Sequence, residues 1–116
     1  MIEPTLVATF GPLVGGRVFA DFAPAGTPLP FATYQQVGGR PVSFLEGAPA
    51  SKKHARFQIN VWSTSRQEAM TIIRLIEDLA VQVPLLGEIE GGAVALYDEA
   101  ADRRGAMQDF SFWFDA

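Results

Sequence analysis

The sequence predicts an α+β fold: a mainly antiparallel sheet of about four to five strands with helices on one face. Three observations predict it. Apolar and polar residues alternate with period two over Arg56–Ser63, Phe110, Phe112 and Phe114 alternate with Asp109, Ser111 and Trp113 in the last strand, and between them runs an apolar stripe with helical spacing. At 116 residues, 48% hydrophobic and 19% charged, the chain has the size and make-up of one domain spanning 1–116.

The elements follow in order. A short helix is expected over Glu3–Phe10, with Pro4 in its first turn, Leu6, Phe10 and Leu13 on one face, and Gly11-Pro12 ending it. Residues 1–50 hold seven of the 11 glycines and seven of the 8 prolines, so short elements and turns should dominate there. After Arg17-Val18-Phe19, the proline-rich stretch Pro24–Pro30 reads as an extended connector. Phe31–Val37 reads as a strand, Gly38-Gly39 as a turn and Val42–Leu45 as a returning strand.

In the strand over Arg56–Ser63, Phe57, Ile59 and Val61 take one face, while Arg56, Gln58, Asn60 and Trp62 take the other. Ser65-Arg66-Gln67-Glu68 has the spacing of a capping box, and Ala69, Ile72, Ile73, Ile76 and Ala80 then recur at helical steps until a stop before Pro84. Gly91-Gly92 precedes a strand over Ala93–Asp98. It is joined through the polar Glu99–Arg104 segment to the last strand, whose Phe110, Phe112 and Phe114 share the core face.

Catalytic chemistry finds little support. Zero cysteines remove thiolate catalysis, cysteine zinc sites and disulfides. The one histidine, His54, sits beside Lys52 and Lys53 with no triad partner in view, and no Gly-x-Ser-x-Gly elbow supplies a nucleophile. Asp98, Glu99 and Asp102 lack the glycine-punctuated spacing of a calcium loop, and the paired glycines match no phosphate-binding loop. The expectation is a protein with no catalytic, cofactor-binding or metal site.

A net charge of −4 gives no global attraction to phosphate, although Lys52, Lys53, His54 and Arg56 form one basic patch, expected as a polar loop leading into a strand. No apolar run approaches the roughly 20 residues that span a bilayer, and the N-terminus carries no basic signal-peptide region, so the expected location is the cytoplasm. Trp62 and Trp113 fall opposite the aliphatic and phenylalanine rows of their strands. An indole pair on a sheet face turned from the helices is either covered by loops or a strand partner or left for subunit contact.

The order of segments then gains a meaning. Leu13–Phe19, Pro28–Gln35, Ala55–Ser63 with its following helix, and Phe110–Phe114 together resemble the tail-completion family of long-tailed bacteriophages and prophages, similar to the lambda-type tail terminators. The resemblance covers roughly Leu6 to Phe114. It implies a small structural, non-enzymatic subunit that assembles as a ring, hexameric in the lambda-type relatives, at the head-proximal end of the tail tube. There it stops tube growth and meets the head connector.

The implied partners are therefore the chain itself, the tail tube protein and the head–tail connector protein, with no membrane and no sequence-specific nucleic acid. The implied places are the bacterial host cytoplasm during assembly and then the virion tail. In such a ring, Trp62 and Trp113 are the interface candidates, and Lys52, Lys53, His54 and Arg56 face the lumen or a partner. The competing reading is a small dimeric ligand-binding protein or cofactor-independent monooxygenase built on the same phenylalanine-rich strands, for which no convergent polar groups are visible.

Overall fold

The structure, a computed structural model, describes residues 1–41 and 51–115; the expected strand over Val42–Leu45 lies outside the described residues. Helix α1 spans Glu3–Phe10 and buries Leu6 and Phe10. Gly11-Pro12 ends the α-helix as expected, and the chain then tightens into a 3-10 turn over Gly11–Val14, where a proline near the start removes a donor that would be unpaired anyway. The turn ends at Gly15, whose left-handed φ of 61° suits a residue without Cβ.

Six strands follow, more than the four to five expected. They are β1 (Val18–Ala20), β2 (Phe31–Gly38), β3 (Lys52–Ser63), β4 (Glu88–Ile89), β5 (Val94–Asp98) and β6 (Arg103–Asp115), with helix α2 (Arg66–Ala80) between β3 and β4. The sheet order is β1-β2-β3-β6-β4, with β5 also on β6. All pairings are antiparallel except β1 with β2.

The central pair, β3 and β6, runs from Lys52 opposite Asp115 to Ser63 opposite Arg104. Lys52, Lys53 and His54 therefore belong to a strand and not to the loop expected from their polarity. A continuous partner strand overrides weak local β-propensity. The same correction applies at the other hairpin, where Arg103 and Arg104 open β6 and only Glu99–Asp102 form the turn.

Both helices lie on one face. Ala55, Phe57, Ile59 and Val61 of β3, Ala106, Phe110 and Phe112 of β6, and Ala32 and Tyr34 of β2 meet Leu6 and Phe10 of α1 and the stripe Ala69, Ile72, Ile73, Ile76 and Ala80 of α2. Phe114 is half-buried at the rim of this cluster.

The capping box forms by halves. Ser65 Oγ accepts from the Glu68 amide at 3.1 Å, but the Glu68 carboxylate takes a hydrogen bond from the Ser63 hydroxyl instead of reaching the Ser65 amide. That amide donates to Ser63 Oγ at 3.4 Å, so the last residue of β3 helps to start α2.

Candidate functional site

The face of the sheet turned away from the helices carries the residues singled out from the sequence. Strand alternation puts Phe31, Thr33 and Gln35 of β2, Arg56, Gln58, Asn60 and Trp62 of β3, and Gly105, Met107, Asp109, Ser111 and Trp113 of β6 on it. Trp62 and Trp113 do share this face, but the register separates them. Trp62 sits opposite Gly105 and His54 opposite Trp113, so eight residues of strand, roughly 27 Å, lie between the two ends.

The ends differ chemically. At one, the Trp62 ring lies against Gly105, and a Cβ added at Gly105 would come within 2.8 Å of the ring. The Arg103 guanidinium covers the indole at 4.8 Å from its centroid and the Phe31 ring at 5.3 Å, held in place by Asp98 at 3.1 Å. At the other end Trp113 is 43% exposed, and the His54 ring packs on it at 4.7 Å. The Arg40 amide donates to His54 Nδ1 at 2.8 Å, and Lys52 pairs with Asp115 at 2.6 Å.

A polar band crosses the middle of the face. Arg56 Nε donates to Asp109 at 2.9 Å and a second guanidinium nitrogen lies 3.8 Å from Glu90. The Ser111 hydroxyl donates to Glu90 at 2.6 Å. That hydrogen bond, with Arg56, Arg40 and His54 beyond it, holds the Glu90 carboxyl below its ordinary range against a smaller opposing effect of burial. The Lys52 ammonium likewise lowers Asp115, through a hydrogen bond first and charge second.

Of the basic patch, Lys52, His54 and Arg56 fall on this outer face, while Lys53 falls on the helix face beside Phe114 and Gln36. Arg56 is engaged by two carboxylates, so the patch does not present four free cations. Among the described residues, no group of three or more histidine, aspartate or glutamate side chains is placed to hold a metal ion, and no helix is long and apolar enough to cross a membrane.

Three features escaped the sequence. The two-residue strand β4 is too short to show alternation. Arg103, read as loop, covers an indole. Gln108, on the core face of β6 and only 2% exposed, donates from its amide to Glu77 of α2 at 2.6 Å and to the Gly91 carbonyl at 2.7 Å. A polar residue inside the row Ala106, Gln108, Phe110, Phe112 was the available signal for that clamp.

Comparisons with known proteins fit this architecture. The family model for tail completion protein gp17 matches residues 7–115. Among solved structures, a chain in the virion of a native gene transfer agent particle is similar at 21% identity and a TM-score of 0.53, covering 94% of this chain and 86% of that one, a likeness in fold. No curated protein matches the chain. With nearly its whole length matched, the chain belongs to the tail completion protein gp17 family and is a structural protein of a phage tail.

Proposed function

We propose that this protein closes the head-proximal end of a phage tail tube as a ring of identical subunits, stopping tube growth and offering a surface to the head connector. The family match over residues 7–115 carries this reading. Hexamers are the expected assembly, following the lambda-type resemblance. A ring of head-to-tail contacts needs two unlike surfaces on each subunit. The outer sheet face supports it with two unlike ends: the half-open indole of Trp113 beside His54 and Lys52, and Trp62 under Arg103.

Trp62 and Trp113 are the proposed subunit-contact residues. Lys52, Lys53, His54 and Arg56 are proposed to face the lumen or the next protein along the particle. The role is structural, without catalysis, cofactor or sequence-specific nucleic-acid binding, and is exercised in the host cytoplasm before incorporation into the virion tail. Light scattering coupled to size-exclusion chromatography, with negative-stain microscopy, tests it. Ring particles several subunits in mass are expected. A monomer at every concentration, or a stable dimer around a ligand-sized cavity, would overturn it.

A further inference from the structure

We propose that the open edge of β5 is a docking site for an extended segment of another protein, one that carries lysine or arginine beside alternating apolar side chains. The reading of this chain as a tail protein identifies that partner as a component of the same particle; the edge chemistry stands on the structure alone.

Hydrogen-bond direction comes first. The Glu90 amide donates to the Asp109 carbonyl at 3.0 Å, so Asp109 turns its backbone groups toward the β4–β5 side of β6. The unbroken register of β6 then turns Met107, Gly105 and Arg103 the same way. Their partners Val94, Leu96 and Asp98 face β6, leaving the amides and carbonyls of Ala95 and Tyr97 directed outward. Among the described residues, nothing accepts or donates to them. The opposite edge gives an independent check. Ala32 donates to Arg17 and Tyr34 accepts from Asp21, the alternation expected for β2 if the whole sheet keeps this phase.

Natural sheet edges are guarded by prolines, lysines, bulges or covering loops. Among the described residues β5 has none of these: its residues are Val-Ala-Leu-Tyr-Asp, with Val94 47% and Tyr97 53% exposed. The far edge, β1, is three residues long and partly closed by its own turns, because the Val18 amide donates to Gly16 and the Ala20 carbonyl accepts from Phe22. An open, apolar edge takes a strand by main-chain pairing, with side-chain pockets adding selectivity.

Charge selects the occupant. Along β4, β5 and their turns stand Glu88, Glu90, Asp98, Glu99 and Asp102, with Arg56 lying 3.8 Å from Glu90 across the face. Arg103 and Arg104 answer Asp98 and Asp102, while Glu88 and Glu99 remain exposed at the two ends of the β4–β5 edge. A second copy is a poor occupant. Pairing β5 with β5 sets two acidic edges together, and β1 has already used two of its outward groups.

The test uses the full chain and a labelled peptide alternating lysine with valine, alongside one alternating glutamate with valine. Fluorescence anisotropy and amide exchange should show binding of the lysine peptide, weakened by salt, with exchange of the Ala95 and Tyr97 amides slowed about tenfold or more. Ala95→Pro removes a donor that points away from β6 and should weaken binding about tenfold with an unchanged melting midpoint. Tyr97→Lys, which leaves the backbone intact, should weaken it similarly by like-charge repulsion and serves if the proline variant loses stability.

Equal binding of the glutamate peptide, no binding of the lysine peptide, or unchanged binding in both variants would overturn the proposal. So would self-association abolished by Tyr97→Lys, which would assign the edge to a second copy. Particle mass is measured on the same samples. A monomer that binds the lysine peptide defeats the ring alone, and a ring that ignores it defeats the docking site alone.

Discussion

The two faces of the sheet solve opposite problems. Toward the helices, Phe57, Phe110 and Phe112 and the isoleucine stripe of α2 exclude water, and tertiary packing fixes every position. Away from them, Arg56, Asp109, Glu90 and Ser111 keep the centre polar while an indole stands at each end. Among the described residues, an arginine covers the Trp62 indole, while the Trp113 indole is 43% exposed. The difference teaches that alternation along a strand identifies a face but not how each residue on it is packed.

Mutations should separate the faces, beginning with the largest effect. Phe112→Ala, in the sealed layer, should cost about 3–5 kcal/mol in urea unfolding, and a loss below about 1 kcal/mol would contradict its burial. On the outer face, Trp62→Ala should cost about 2 kcal/mol, from lost burial and the lost Arg103 contact. Gly105→Ala should cost about 1–3 kcal/mol by forcing a methyl group against the Trp62 ring and the Val61 carbonyl.

Trp113→Ala should change monomer stability by no more than about 0.5 kcal/mol while reducing self-association in sedimentation experiments. A large stability loss with association intact would remove Trp113 from the proposed subunit contact.

The smallest effect is on pH dependence. The folded Glu90 carboxyl lies below its unfolded value, so its contribution to stability is present at neutral pH and fades as pH falls through the carboxylate range. Ser111→Ala removes the principal cause and should raise the Glu90 pKa in an NMR titration, flattening the acid side of the stability profile. An unchanged titration would detach Glu90 from Ser111.

What was legible in the sequence was periodic. The five buried positions of α2, the inward rows of β3 and β6 and the outward direction of both tryptophans follow from spacing alone. What was hidden depends on partners. Lys52–His54 look like loop until Trp113–Asp115 pairs with them, and β4 exists only because β6 extends past the end of β5. The roughly 27 Å between the indoles appears only when two strands are set in register. Edge hydrogen bonds leave little trace in side-chain pattern, since every residue except proline carries the same backbone donor and acceptor.

Gln108 gives the molecule an internal tether. Its two amide protons are committed to different layers, one to the Glu77 carboxylate on the helix and one to the Gly91 carbonyl in the segment joining β4 to β5. Neither can be displaced without disturbing a bond shared through the same nitrogen. One core side chain thereby fastens the segment between β4 and β5 to α2 across the layer between them.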